Sequence, residues 1–370
     1  MTNKMGKKIR GVNLGGWLVL EKWMTPSLFE GLNATDETTW CVEMGDRAPE
    51  RLRQHWDTFI TEADFEWLSG VGINAVRIPV GFWLFGPPYP HHWKYGEKQS
   101  PFVEGGVERL DRAFEWAEKH GLLVLLDLHA APGCQNGFDN GGLHGVMEWH
   151  MKQEYIEFAL ETLRRLAERY GKRNGLLGIE VLNEPRWDVP SDLLKDYTRK
   201  AYQIIRNFCS RNDGAVVFND GFRSPEEYSG CFCEPEYSNV VLDIHRYQCF
   251  SDGDKNMDIY GHIQKAAIEW KNETDSLAKN PALWTYVGEW SLGLDLQEVS
   301  LWAQGPFPHA LKGMDEFQQA VARRAYGAAQ LASFERYMGW FFWSYKTETT
   351  PAWCFRECVN RGWLPSNYKF

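Results

Sequence analysis

Two glutamates, Glu184 and Glu289, are the residues around which chemistry can be organised. Glu184 follows the apolar run Leu176–Asn183, and Glu289 ends the run Leu283–Glu289. One glutamate at a strand end is commonly a structural ion-pair partner. Two at opposed strand ends can divide an acetal cleavage between them: one protonates the leaving oxygen, and the other attacks the carbon or activates water. A separation of about 5–5.5 Å would favour a covalent intermediate and retention of configuration. The two must also differ in pKa, one raised by mutual repulsion and the other kept ionised by a cation. Arg77 is the natural cation for Glu289. The ends of the other apolar runs offer His129, Asn183, His245 with Tyr247, and Trp343.

The elements that must position these groups follow from the hydrophobic pattern. Eight runs read as strands: Ile9–Leu14, Ala75–Val80, Leu122–His129, Leu176–Asn183, Ala215–Phe218, Val240–His245, Leu283–Glu289 and Trp340–Tyr345. Several are almost continuously apolar, as parallel strands buried on both faces should be. Segments 58–69, 107–120, 151–170, 191–212, 260–273 and 315–335 carry apolar residues at helical spacing. The stretch Arg223–Glu236 after the fifth strand reads mostly as loop, and an eighth helix is weakly marked. Gly121 is a natural stop for the helix before it. Repeated βα units predict a parallel (β/α)8 barrel, one catalytic domain spanning residues 1–370, with its chemistry at the C-terminal ends of the strands.

Composition narrows the partners. The formal net charge of −10 argues against nucleic acid or an anionic membrane surface. The 18 Trp and 15 Tyr exceed what a core requires, and an indole face can cover the apolar C–H face of a sugar. The eight Cys include Cys231 with Cys233 and Cys354 with Cys358, neither with a second ligand pair at zinc-site spacing, so no metal or other cofactor is expected. The polar, basic Met1–Arg10 segment is not a signal peptide. No run of about 18 apolar residues predicts a membrane span. The chain as given therefore reads as cytoplasmic.

The ordered motifs resemble glycoside hydrolase family 5, and most closely its exo-β-1,3-glucanase branch. Ile9-Arg10-Gly11-Val12-Asn13-Leu14-Gly15-Gly16-Trp17-Leu18-Val19-Leu20-Glu21 resembles that branch's N-terminal signature. Asn183-Glu184-Pro185 is similar to the acid/base motif and Val287-Gly288-Glu289-Trp290 to the nucleophile motif. The segment from Gly339 to Glu348 resembles the eighth strand. The resemblance implies Glu184 as acid/base, Glu289 as nucleophile and Asn183 as a partner of the sugar 2-hydroxyl. It implies that Arg77 and Tyr247 keep Glu289 ionised, that His129 and His245 line the same subsite, and that Trp343 stacks beneath the sugar. Glu21 would bind the outer hydroxyls of a terminal glucose. Phe138, beside Asp139 in one loop, and Phe250 in another would clamp the next ring.

The implied substrate is a β-linked oligosaccharide or glucoside. The segment Ser291–Gly313 is shorter than the family's Cys-bearing insertion, which leaves other β-glycosidase specificities open: imported β-glucosides, glycolipids or diglycosides. A non-catalytic carbohydrate-binding barrel would not need both glutamates. A metal-dependent barrel hydrolase would want a His-x-His or carboxylate cluster on the first strand, which Arg10–Leu14 lacks. Linkage, aglycone and oligomeric state are open at the level of sequence.

Overall fold

The computed structural model describes residues 7–89, 101–278, 284–294 and 310–369. Eight parallel strands close a barrel in sequence order: β1 (Ile9–Asn13), β2 (Ala75–Gly81), β3 (Leu123–Ala130), β4 (Leu176–Glu180), β5 (Ala215–Asn219), β6 (Val240–Arg246), β7 (Trp284–Trp290) and β8 (Gly339–Phe342), with β8 paired back to β1. All eight predicted strands are present; Leu283, placed at the start of the seventh, lies outside the described residues. Two predicted strands run too long. β4 ends at Glu180, so Asn183 and Glu184 stand on the loop beyond it. β8 ends at Phe342, before Trp343.

One residue or two from each strand form the floor of the barrel, among them Ile9, Ala75, Leu125, Leu177, Val217, Val241, Tyr286 and Phe341. Side chains alternate along a strand, so the same inward face continues upward from this floor. It carries Ala75 then Arg77 on β2, Leu125 then Asp127 and His129 on β3, and Val241 then Asp243 and His245 on β6. An apolar floor beneath a charged upper layer is thus written in a period of two.

The helices cover the outside. Gln153–Tyr170 buries Ile156, Ala159, Leu160, Leu163, Leu166, Ala167 and Tyr170, one stripe at spacings of three and four. Cutting Leu163 to Ala there would cost about 2–5 kcal/mol. Gly106–His120 stops at Gly121, whose φ of 73° is the left-handed cap that favours glycine. The predicted helix 58–69 is two helices, Ala48–Phe59 and Glu62–Val71. Ile60 is extended, and Thr61 with Asp64 forms a capping box that starts the second helix. Apolar periodicity runs through this break and conceals it. A helix at Glu37–Met44, capped by Asp36, was not expected. The expected 191–212 ends at Arg206, and 260–273 is Ile259–Gln264 running through a π-helical turn, Lys265–Trp270, into Lys271–Ala278. After β5 there is only the short 3-10 turn Pro225–Tyr228, and the last helix is the six-residue Phe355–Asn360.

All eight cysteines are free thiols. No described helix is long and apolar enough to cross a membrane.

Candidate active site

Arg77 is the hub. It is the third residue of β2 rather than its end, and its long side chain reaches up the barrel axis while staying fully buried. Its Nε and Nη2 donate to the two oxygens of Glu180 at 2.7 and 3.1 Å. Nη1 donates to Asn13 Oδ1 and to Glu289 Oε1, both at 3.0 Å. Nη2 also donates to Asn183 Oδ1 at 2.7 Å and pairs with Asp127 at 3.1 Å. Burial opposes the guanidinium charge, but Asp127, Glu180 and Glu289 overcome it and hold Arg77 firmly protonated. A buried cation with every N–H direction answered is a rigid peg on which neighbouring carboxylates are oriented.

Glu184 and Glu289 meet over this peg. One carboxylate oxygen of each lies, with a ring nitrogen of His245, in a set mutually within 4.8 Å. Both are nearly buried, 7% and 4% exposed. Glu184 has φ 41°, a left-handed conformation that costs a non-glycine residue about 1–3 kcal/mol and clusters at functional sites. His245 Nδ1 is 2.7 Å from Glu184 Oε1 and 3.4 Å from Glu289 Oε2. Tyr247 donates its hydroxyl to Glu289 Oε2 at 2.8 Å, and Asn140 Nδ2 donates to Glu184 Oε2 at 3.0 Å.

The electrostatics differ from the sequence expectation in one respect. Arg77 and Tyr247 do contact Glu289, yet burial pushes Glu289 up to about 8, with the Glu184 charge adding to it. Arg77 is shared with other buried carboxylates and cannot offset that burial alone. Burial also pushes on Glu184, but the hydrogen bond and charge of His245 outweigh it and hold Glu184 below the usual glutamate range. His245 itself, despite burial, is raised well above its ordinary value by Glu289, Asp243 and Glu184. With Glu289 ionised, the pocket therefore keeps a proton on His245, one hydrogen bond from Glu184. His129 is the opposite case: burial and Arg77 press it down to about 3, so it is neutral, with Nδ1 2.6 Å from Asp127.

Three buried polar atoms in this cluster, Asp127 Oδ1, His129 Nε2 and Asn183 Nδ2, have no hydrogen-bond partner among the described residues. Such atoms are costly unless a ligand or water answers them. The Trp343 ring lies parallel to the His129 imidazole, 5° apart in plane and 5.4 Å between centroids. Gly15 makes room for it, since a Cβ there would stand 2.9 Å from the indole. Glu21 is buried and takes a 2.9 Å hydrogen bond from Trp23 Nε1. Burial raises its pKa well above normal, and the charges of Asp139, Glu289 and Glu184 raise it further, which puts Glu21 within electrostatic reach of both catalytic candidates. Burial likewise pushes Asp139 up to about 6. Phe138 belongs to the Asn140 loop, and Phe250, 54% exposed, sets its ring 5.5 Å from that of Tyr247.

Asn13, Asp127, Asn140, Glu180 and Asp243 escaped the sequence reading. Asp127, Glu180 and Asp243 had a signal, a charged residue inside an otherwise apolar strand run. Asn140 had only its place beside Asp139. Trp187 and Phe222, exposed aromatics outside any strand, also escaped. Among the described residues, Glu180–Asp243–His245 and Glu184–His245–Glu289 have the spacing of metal ligands. The cations that answer them are Arg77, 2.7 Å from Glu180, and protonated His245.

A closed (β/α)8 barrel with two carboxyl groups converging above its strand ends defines a barrel hydrolase of the carboxylate-pair class. The profile of the cellulases (glycosyl hydrolase family 5) matches residues 42–347, a span that includes Glu184 and Glu289. Glucan 1,3-beta-glucosidase 2 of Wickerhamomyces anomalus is 36% identical over 395 residues, covering 97% of this chain and 88% of that one. The glucan 1,3-beta-glucosidase of Candida oleophila is 37% identical over 399 residues, with the same coverage of 97% and 88%. The rutinosidase of Aspergillus niger shares the fold, with a TM-score of 0.76 at 20% identity over 98% of this chain and 99% of that one. The chain belongs to glycosyl hydrolase family 5 and is a glycoside hydrolase.

Proposed function

We propose that this enzyme removes single glucose units from the non-reducing ends of β-1,3-linked glucans or short β-glucosides, by double displacement with retention. The observation that carries the mechanism is the convergence of Glu184, His245 and Glu289 within 4.8 Å. That spacing leaves a sugar carbon in reach of one carboxylate and its leaving oxygen in reach of the other, and is too tight for an intervening water.

In the first step Glu289 attacks the anomeric carbon as the bond to the leaving oxygen breaks, and Glu184 gives that oxygen its proton. The proton reaches Glu184 from His245 Nδ1 across 2.7 Å. Its departure leaves His245 neutral. Arg77 and Tyr247 orient Glu289 for the attack. In the second step water attacks the same carbon, Glu184 accepts its proton, and the glycosyl ester to Glu289 breaks. His129 Nε2 and Asn183 Nδ2, which have no partner among the described residues, would meet ring hydroxyls, Asn183 at the 2-hydroxyl. Trp343 supplies the stacking face.

The substrate class rests on the two glucan 1,3-beta-glucosidase relatives, aligned along nearly the whole chain, and on Glu21, a buried acceptor near the pair that suits the hydroxyls of a terminal sugar. The loop that would wall this side, Ser291–Gly313, includes residues 295–309, which lie outside the described residues. The test is the early product pattern from laminarihexaose. Glucose with the pentamer supports end-on release. Dimers and trimers appearing first would mean an open groove. Cleavage of aryl or diglycosyl β-glucosides with no action on laminari-oligosaccharides would move the enzyme to another β-glycosidase specificity.

A further inference from the structure

We propose that Trp187 is a stacking platform for a glucosyl unit of the leaving chain, beyond the ring adjacent to the scissile bond. The proposal rests on the β-1,3-glucan reading of the same site.

A row of aromatic rings leads away from the acid/base. It starts at Phe138, two residues before Asn140, whose amide holds Glu184. The Phe138 ring stands edge-on to Phe222 at 6.3 Å, and Phe222 stands edge-on to Trp187 at 5.9 Å. Phe222 is 43% and Trp187 60% exposed, whereas Trp17, Trp40, Trp149, Trp290 and Trp340 are fully buried. A leaving group departs on the side of the residue that protonates it, so a row beginning at Phe138, in the loop whose Asn140 holds Glu184, would run along the leaving-chain side.

Trp187 is also held still. Its carbonyl accepts from Arg223 Nη2 at 2.9 Å. Its neighbour Arg186 is locked to Asp188 by paired bonds of 2.8 and 2.6 Å, and carries its guanidinium 5.6 Å from the indole centroid. The indole follows Glu184 by three residues, with Pro185 stiffening the link. An exposed apolar ring on a pinned backbone binds a sugar face with little ordering cost.

Laminaribiose fills only the positions either side of the scissile bond, whereas laminarihexaose has further units that would run along this row. Trp187→Ala should therefore lower the ratio of kcat/KM on laminarihexaose to kcat/KM on laminaribiose by roughly three- to tenfold, the range expected for one lost ring contact. Trp187→Phe should restore most of that ratio, with thermal midpoints of both variants at the wild-type value. A Trp187→Ala ratio equal to the wild-type ratio would overturn the platform while the glucanase reading stands. A wild-type enzyme inactive on both oligosaccharides would overturn the glucanase reading and the platform with it.

Discussion

At the scale of the residue, Glu289 is caught between burial and donation. Burial drives its pKa up to about 8, and the Tyr247 hydroxyl at 2.8 Å is among the groups that pull it down. As the proposed nucleophile, Glu289 must be ionised to attack, so activity should fall as pH drops through its pKa. Tyr247→Phe removes one lowering interaction, so the pKa rises and the acidic limb of kcat/KM moves to higher pH. A hydrogen bond to a charged group is worth about 1.5–3 kcal/mol, which makes a shift of roughly one to two pH units the expected size. An acidic limb that stays put, or moves down, would deny Tyr247 this role. Glu184, Glu289 and Asn183 could be singled out from their motifs, and the structure brings them together around Arg77 and His245. Asp127, Glu180 and Asp243 could not be paired with Arg77, because only barrel closure brings β2, β3, β4 and β6 onto one peg. For the same reason the sequence suggested Arg77 as the private cation of Glu289, when three other buried carboxylates share it.

At the scale of the element, the strands work because small residues stand where the upper layer is tightest. Gly288 lies on β7 directly before Glu289, and its N–H donates to Asp243 Oδ1 at 2.6 Å. A Cβ at that point would overlap the Asp243 carboxylate. Asp243 touches His245 Nε2 at 3.3 Å, so the displacement reaches the histidine that serves Glu184. Gly288→Ala should lower kcat at least tenfold, with a smaller effect on KM, since the error lies in the proton-bearing cluster rather than in the sugar contacts. Wild-type kcat in a folded Gly288→Ala enzyme would refute this coupling. Elements were legible where the period was clean, as in Gln153–Tyr170 and in the presence of all eight strands, though the ends of β4 and β8 were overrun. They were misread where local hydrogen bonding overrode periodicity: the capping box of Thr61 and Asp64 splits one apparent helix into two.

At the scale of the whole molecule, acid stability depends on buried groups that the fold keeps neutral. His55, on the helix Ala48–Phe59, is buried with Nε2 2.8 Å from the Gly16 carbonyl, and burial lowers its pKa to about 4. The unfolded chain binds this proton near pH 6.5, about 2.5 units earlier, so unfolding is favoured progressively as pH falls from about 6.5 towards 4. By pH 4.5 the linkage amounts to about 2.5 kcal/mol. His55→Gln keeps a donor for Gly16 and removes the titration. The variant's unfolding free energy from urea titrations should therefore drop less than the wild type's between pH 7 and 4.5. Parallel losses in the two proteins would show that His55 does not titrate this way.

In the proposed double displacement, the barrel, its floor and its outer helices hold the Glu289 carboxylate where it would become a glycosyl ester. Reaction with a 2-deoxy-2-fluoro-β-glucoside bearing a good leaving group should stall the enzyme at that ester, because the fluorine slows both steps and the activated leaving group rescues the first. Intact-mass analysis should then show one added fluoroglucosyl group per chain, and peptide mapping should place it on Glu289, with Glu289→Gln unlabelled. A label on any other residue, or turnover without an accumulated ester and with inversion at the anomeric carbon, would contradict double displacement through Glu289.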